Sequence, residues 1–207
     1  MKEYRHSTTP DGPLKKKGRL SMAQHTKNAI RRGFMELLNQ RPFDKISVVD
    51  IAQHCEINRN TFYYYYEDIF ALVEDVLEQE RKKIWEKYGS NGSWESFYLA
   101  CTEFIRGNKR AVTHLVNSAN RDRLERYFYR STLEAMTAVV RRMSQGLSIS
   151  EGELQRIALF HTATLVGLEM AWILGGMKDD TGEYLREMGR MMETSLCSAL
   201  ERASRCA

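Results

Sequence analysis

The chain has 207 residues, a hydrophobic share of 43% and a formal net charge of +4. That length holds one large domain or a small one joined to a larger one, and the composition is ordinary for a soluble protein with a packed core. Cys55, Cys101, Cys197 and Cys206 lie far apart, which excludes a disulfide framework or a cysteine metal site and predicts reduced thiols in a cytoplasmic protein. The charge is uneven: residues 1–66 carry 12 Lys/Arg against 6 Asp/Glu, and residues 67–207 carry 19 against 21. An N-terminal part that is basic in this way suits the neutralisation of phosphates.

Only three prolines interrupt long periodic stretches, and no alternating segment flanks an Asn-Gly or Asp-Gly turn, so the expectation is an all-α fold. Residues 1–20 read as a disordered basic arm that ends in Lys15-Lys16-Lys17-Gly18-Arg19. It is either a solvated tail or a segment that follows DNA phosphates. No apolar stretch follows these charges, as a secretory signal would require. A first helix is expected from Met22 to Asn39, with Ile30, Phe34, Leu37 and Leu38 on one face and Pro42 behind its end.

Residues 47–66, SVVDIAQHCEINRNTFYYYY, predict two short helices joined by a tight corner. Ser47 and Asp50 have the spacing of a capping box, while Val48, Ile51 and Ala52 share an apolar face. Cys55-Glu56-Ile57 forms the corner and Asn58 caps the second helix, whose opening residues are Arg59, Asn60 and Thr61. This is a helix-turn-helix, a unit whose second helix enters the DNA major groove. A connecting helix is expected from Asp68 to Tyr88, followed by a break at Gly89-Ser90-Asn91-Gly92.

A larger domain of four or five helices should follow. Ser93 would cap a helix from Trp94 to Ile105, with further segments from Lys109 to Asn117 and from Asp122 to Gln145. Ser150 to Glu153 caps a helix reaching Leu174, and Asp180-Thr181-Gly182-Glu183 opens a last helix to Ala203. Between Ile157 and Met177 the only charged residue is Glu169. A membrane span is one reading of that stretch, but His161, Thr162, Thr164 and Glu169 would sit at membrane depth. A helix buried against a second copy of the chain is the preferred one, joined by Tyr184, Met188, Met191, Met192, Leu196 and Leu200 on the last helix.

The helix-turn-helix stretch resembles the DNA-binding domain of TetR-type transcriptional regulators. The likeness rests on Ser47, Val48, Asp50, Ile51, Ala52, Ile57, Arg59, Thr61, Phe62, Tyr63, Tyr65 and Tyr66, and upstream on Ala29-Ile30, Phe34, Leu37-Leu38 and Phe43-Asp44-Lys45-Ile46. Two positions depart from the pattern: Glu56 stands where Gly is common, and Ile69 where many relatives carry a phosphate-binding Lys. The resemblance implies three domains: the arm 1–20, a helix-turn-helix domain over 21–67, and a helical effector-binding and dimerisation domain over 68–207. It further implies a homodimer on a palindromic operator in double-stranded DNA, most relatives being repressors released by a small molecule. Trp172-Ile173-Leu174-Gly175-Gly176-Met177-Lys178 is similar, more faintly, to the dihydroxyacetone-kinase coactivator subgroup, which implies the alternative of an activator governed by a protein partner.

The expected DNA-contacting residues are Ser47, Val48, Val49, Asn58, Arg59, Asn60, Thr61, Tyr63, Tyr64 and Tyr65. Arg suits the O6/N7 edge of guanine and Asn the N6/N7 edge of adenine, while Thr61 suits a thymine methyl or a phosphate. Val49 adds an apolar contact, and the helix start at Ser47 and Val48 offers backbone N–H groups to a phosphate. Five successive helical aromatics cannot share one face, so Phe62 and Tyr66 are assigned to the core. Tyr63, Tyr64 and Tyr65 point outward, their hydroxyls suited to phosphate oxygens or simply to solvent.

An effector cavity could be lined by Trp94, Phe97, Tyr98, Cys101, Phe104, His114, Tyr127, Met136, His161 and Trp172, for each of which ordinary core packing is the competing assignment. No cofactor and no metal are expected. An enzyme is disfavoured, since no Gly-rich phosphate loop, HExxH, CxxC or nucleophile elbow occurs.

Overall fold

The computed structural model describes residues 13–89, 94–178 and 182–205, with side chains from Met22 onward. Every described element is helical, as the prolines and periodicity predict. The order is α1 (Pro13–Gln40), α2 (Val48–His54), α3 (Arg59–Tyr65), α4 (Ile69–Ile84), α5 (Trp94–Gly107), α6 (Lys109–Val116), α7 (Arg121–Met143), α8 (Glu151–Leu174) and α9 (Glu183–Arg205). A 3₁₀ turn at Phe43–Lys45 precedes α2, and a π-helical turn at Trp85–Gly89 extends α4. The first helix begins at Pro13, ahead of the expected Met22, so the 15–19 basic cluster lies on helical backbone. Proline is well suited to the first turn of a helix, and the leucines, lysines and arginines after it favour helix. The expected break at Ser90-Asn91-Gly92, the Ser93 cap and Asp180-Thr181 fall outside the described residues, as does Cys206.

Two hydrophobic clusters organise the molecule. In the first, Ile30, Phe34 and Leu38 of α1 meet Ile51, Phe62 and Tyr66 of the helix-turn-helix and Phe70, Leu72 and Val73 of α4. That cluster continues into Leu115 and Val116 of α6 and Trp172 and Ile173 of α8. The second unites Trp94, Phe97 and Tyr98 with Met136, Val139, Ile157, Leu165, Met192, Leu196 and Leu200. Burying a side chain of this size contributes about 1.5–3 kcal/mol, so both clusters hold their helices by packing rather than by helix propensity. Close approach matters at Gly33, where a Cβ would come within 2.5 Å of Cys55 Sγ and 3.0 Å of His54 Cδ2, so a larger residue there would force these two side chains to move.

The last two helices differ from expectation in one respect. Met192, Leu196 and Leu200 are buried within their own subunit, leaving Met191 and Tyr184 as the exposed apolar residues of the proposed stripe. The reason is packing: α9 turns its Met192–Leu200 face onto α5, α7 and α8. On α8 an outward row is exposed instead, formed by Phe160, Ala163, Gly167, Ala171 and Leu174 at helical spacing. Helix α8 is long and apolar enough to cross a membrane, yet its other faces are packed into the body with His161 and Thr162 fully buried. His161 Nδ1 donates to the Ile157 carbonyl at 2.8 Å, and its Nε2 accepts from Ser195 Oγ at 3.3 Å.

The corner between α2 and α3 keeps its shape despite lacking glycine. Glu56 takes a left-handed conformation, φ 53°, and the Ile57 N–H closes the turn on the Ala52 carbonyl at 2.9 Å. A left-handed non-glycine residue costs about 1–2 kcal/mol, and glycine gives back part of that through its freer unfolded chain. Glu56→Gly is therefore expected to stabilise the protein by about 0.5 kcal/mol, and Glu56→Val to destabilise it by more than about 1 kcal/mol. Urea midpoints of the two variants measure the difference.

Candidate nucleic-acid interface and effector cavity

The start of α2 is a complete capping box. Ser47 Oγ accepts from the Asp50 N–H at 3.2 Å, and Asp50 Oδ2 accepts from the Ser47 N–H at 2.8 Å. Arg41 Nη2 lies 3.0 Å from the other Asp50 oxygen. The hydroxyl and backbone N–H of Ser47, seconded by Arg41, hold the Asp50 carboxyl at about 2. Asn58 caps α3 as expected, its Oδ1 accepting from the Asn60 N–H at 2.8 Å.

These caps leave one surface of predicted residues together. Ser47, Val49, Asn58, Arg59, Asn60, Tyr63 and Tyr64 are exposed, and Val48 and Thr61 are half-buried beside them. Arg59 has no ion-pair or hydrogen-bond partner among the described side chains, so its guanidinium is free to reach outward. Phe62 and Tyr66 are in the core, at 0% and 4% exposure, and Tyr64 stands out at 80%. Tyr65 departs from expectation: it is half-buried against the first cluster, its ring edge-on to Tyr64 with centroids 4.9 Å apart. It lies on the side of α3 that turns toward the core, three residues on from Phe62. Lys45, outside the expected set, is likewise exposed, immediately before α2.

Behind this surface a single acidic residue ties the head together. Asp75 of α4 receives Arg31 Nε at 2.8 Å and Nη2 at 3.0 Å from α1, and the Tyr66 hydroxyl donates to it at 2.6 Å. Lys27 adds a charge at 3.8 Å. Burial alone would push the Asp75 carboxyl up, but Arg31, Tyr66 and Lys27 outweigh it and hold it below the usual carboxylate range. Contacts from head to body are also polar: Arg123 Nη1 donates to Asp68 at 2.7 Å, the Ala119 N–H to Asp44 at 3.1 Å, and His114 Nδ1 to the Leu38 carbonyl at 2.7 Å.

The far end of α4 borders a cavity of about 100 Å³. Leu77, Glu80, Arg81 and Ile84 form one wall, and α5, α6, α7 and α8 form the rest. Trp94, Phe97, Tyr98, Cys101, Phe104 and Tyr127 line it as predicted. Four predicted residues do not. His114 is occupied with α1, Met136 and His161 are sealed in packed core, and Trp172 belongs to the first cluster. Sequence periodicity could not separate them, because cavity wall and core present the same apolar side chains to the interior.

The polar groups of the cavity are Glu80, Arg81 and Glu169. Glu80 holds Lys83 at 2.6 Å, and Arg81 donates to both oxygens of Glu78, at 2.8 and 2.9 Å, with Glu134 at 3.4 Å. Glu169 has no such partner among the described residues. Burial pushes its carboxyl up to about 7. Burial likewise raises the Tyr98, Cys101 and Tyr127 groups that share the cavity. The signal for Glu169 was in the sequence, since it is the one charge between Ile157 and Met177. No signal marked Arg81, which lies in a run of alternating charges.

Comparison with known proteins settles what carries this surface. The profile described as "Bacterial regulatory proteins, tetR family" matches residues 30–76, and "Transcriptional regulator C-terminal region" of the same family matches residues 92–194. The chain belongs to the TetR family of transcriptional regulators. The HTH-type dhaKLM operon transcriptional activator DhaS of Lactococcus lactis subsp. lactis (strain IL1403) is 25% identical over 84 residues, 41% of this chain and 45% of that protein. The HTH-type transcriptional regulator YxbF of Bacillus subtilis (strain 168) is 30% identical over 61 residues, 30% of this chain and 16% of that protein. The matched stretches thus span less than half the length of these relatives. Among solved structures, the dihydroxyacetone kinase operon activator DhaS superposes with a TM-score of 0.65 at 18% identity, covering 86% of this chain and 98% of that one. Such a likeness shows the shared fold.

Glu169 also sets a pH dependence. Its folded value lies above the usual 4.5, so no charge-burial penalty arises while the group is protonated in both states. As pH rises from about 4.5 through about 7 the unfolded chain ionises first and stability falls, by about 3 kcal/mol at the plateau. Glu169→Gln is therefore expected to stabilise the free protein at pH 8 and to leave it unchanged at pH 4, as thermal or urea unfolding at the two values shows.

Proposed function

We propose that this TetR-family regulator is a dimeric repressor that holds a palindromic operator in the cytoplasm and releases it when a small molecule fills the cavity beside α4. The observation that carries this reading is the course of α4 itself. Its first turns are part of the DNA-reading head, and its last turns are a wall of the cavity. The helix is 16 residues long, and about 24 Å at 1.5 Å per residue. A tilt of about 5° at the cavity end moves the head end by about 2 Å. In a dimer two heads shift at once, so the spacing of the recognition helices changes by more than either head alone.

The outward row of α8, with Phe160 at 64% exposure, and Met191 of α9, at 56%, supply a self-complementary face for the second subunit. Two-fold pairing there sets two α3 helices about one helical turn of DNA apart, or a multiple of it, and so calls for a palindrome. Repression is the simpler mode, because occluding a promoter needs only tight binding, whereas activation also needs a contact with the transcription machinery. On each half-site Arg59 and Asn60 read base edges, Thr61 and Val49 add apolar contacts, and Ser47, Val48, Asn58, Tyr63 and Tyr64 address the backbone.

Fluorescence anisotropy against labelled DNA from upstream of the gene tests this reading. Expected are saturable binding that survives competitor DNA, a fall with salt, and release by a cavity ligand. Binding that is enhanced only by a protein partner, with no ligand response, would favour an activator of the kind the name DhaS describes. Arg59→Ala should weaken operator binding by about 1–3 kcal/mol per half-site and relax base preference at its position. Unchanged affinity and preference would remove Arg59 from the interface.

A further inference from the structure

The charges around the cavity point to one class of ligand. Arg81 is the sole cation among the lining residues, and its guanidinium is engaged by two carboxylates, Glu78 and Glu134. An anionic ligand would have to displace one of them. Glu80 is answered by Lys83. That leaves the Glu169 carboxyl, which is half-buried in the cavity wall with no protein partner among the described residues. An isolated buried carboxylate costs several kcal/mol unless a cation or a set of donors compensates it. No group of three His, Cys, Asp or Glu side chains is assembled among the described residues to make it a metal site.

The remaining walls suit an organic cation. Trp94, Phe97, Tyr98, Phe104, Tyr127 and Phe128 surround the space, and aromatic faces attract a positive charge that has left water. At about 100 Å³ the space is on the scale of one six-membered ring, below the roughly 300 Å³ at which drug-sized sites begin. We propose that the effector of this cavity is a small lipophilic amine, a single ring bearing a protonated nitrogen, with its ring against Trp94 and Phe104 and its ammonium received by Glu169. This rests on the reading of the cavity as the effector site and specifies its chemistry.

Binding of such a cation is coupled to the ionisation of Glu169. The titratable groups that feel its charge are Tyr98 and Cys101 from α5, while Arg81 and Glu80 from α4 and Tyr127 from α7 line the same cavity. Arg81 stays charged, and the two tyrosines and the cysteine stay neutral, through pH 6–8. Glu169, with its midpoint near 7, passes from about one-tenth to about nine-tenths ionised across that window. Affinity for an amine that remains protonated throughout should therefore rise about tenfold from pH 6 to pH 8.

The test uses three probes of one size and shape: phenethylamine, 2-phenylethanol and phenylacetate. Each is titrated into the full-length protein at pH 6, 7 and 8, followed by tryptophan fluorescence and calorimetry, and each is added to the protein–operator complex in the anisotropy assay. Expected are tightest binding by the amine, a tenfold tightening with pH for the amine alone, and loss of at least tenfold in amine affinity in Glu169→Gln, with the alcohol unaffected. The pH profile of the unaltered protein decides the matter even if the variant folds poorly. Equal or tighter binding of the alcohol or the carboxylate, or a flat amine profile, overturns the amine assignment and leaves the cavity as effector site standing. Failure of all three to bind or to release DNA overturns the effector site itself, and the amine with it.

Discussion

The bidentate grip of Arg31 on Asp75, with the Tyr66 hydroxyl on the same carboxylate, is the contact on which the rest of the molecule depends. It joins α1, the end of α3 and α4 at one point, so the reading surface and the lever behind it move as a single body. A half-buried ion pair is a poor source of stability, because desolvation takes back most of the attraction. Its value here is directional. The planar guanidinium and the hydroxyl accept only one placement of α4 against α1, where the apolar packing of Phe70 and Val73 would tolerate small slides. Charge-assisted bonds of this kind are strengthened by the apolar cluster that surrounds them.

Head and body share the apolar packing of the first cluster, which runs on into α6 and α8, and beside it lie polar links of a different kind. Asp68 to Arg123, Asp44 to the Ala119 amide and His114 to the Leu38 carbonyl are single polar links near the surface. Arg123 also lies over the Phe70 ring at 4.2 Å. Links of this strength, individually worth about 1 kcal/mol, can be remade one by one.

The cavity itself reflects a compromise between folding and sensing. Above neutral pH the protein would be more stable without the Glu169 charge. On the proposed reading, that unpartnered carboxyl is kept for the effector, in the manner of a functional site built at the expense of stability. The same holds in miniature at Glu56, whose left-handed corner is strained yet sets the angle between α2 and α3.

Much of the head was legible in the sequence, because its signals are local. Ser47 with Asp50, Asn58 before Arg59, and the spacing of Ile30, Phe34 and Leu38 each depend on residues within a turn or two, and the structure places all of them as read. The division of Phe62 and Tyr66 from Tyr63 and Tyr64 follows from helical geometry alone. Tyr65 escaped that logic, since its burial depends on the first cluster, which lies outside its own helix. In the body, helix positions were again local, but the fate of each apolar face was not. His114, Met136, His161 and Trp172 are as apolar in setting as Trp94 or Phe104, and only the packing of five helices decides which of them borders the cavity. Met192 and Leu196 share a periodic stripe with Met191, yet the fold turns two inward and one outward. The sequence by itself determined the helices, their caps and the charge of the reading surface, all of which act over a few residues. Only the tertiary structure decided where space was left unfilled and which buried charge was left unpaired, because both depend on side chains brought together from distant parts of the chain.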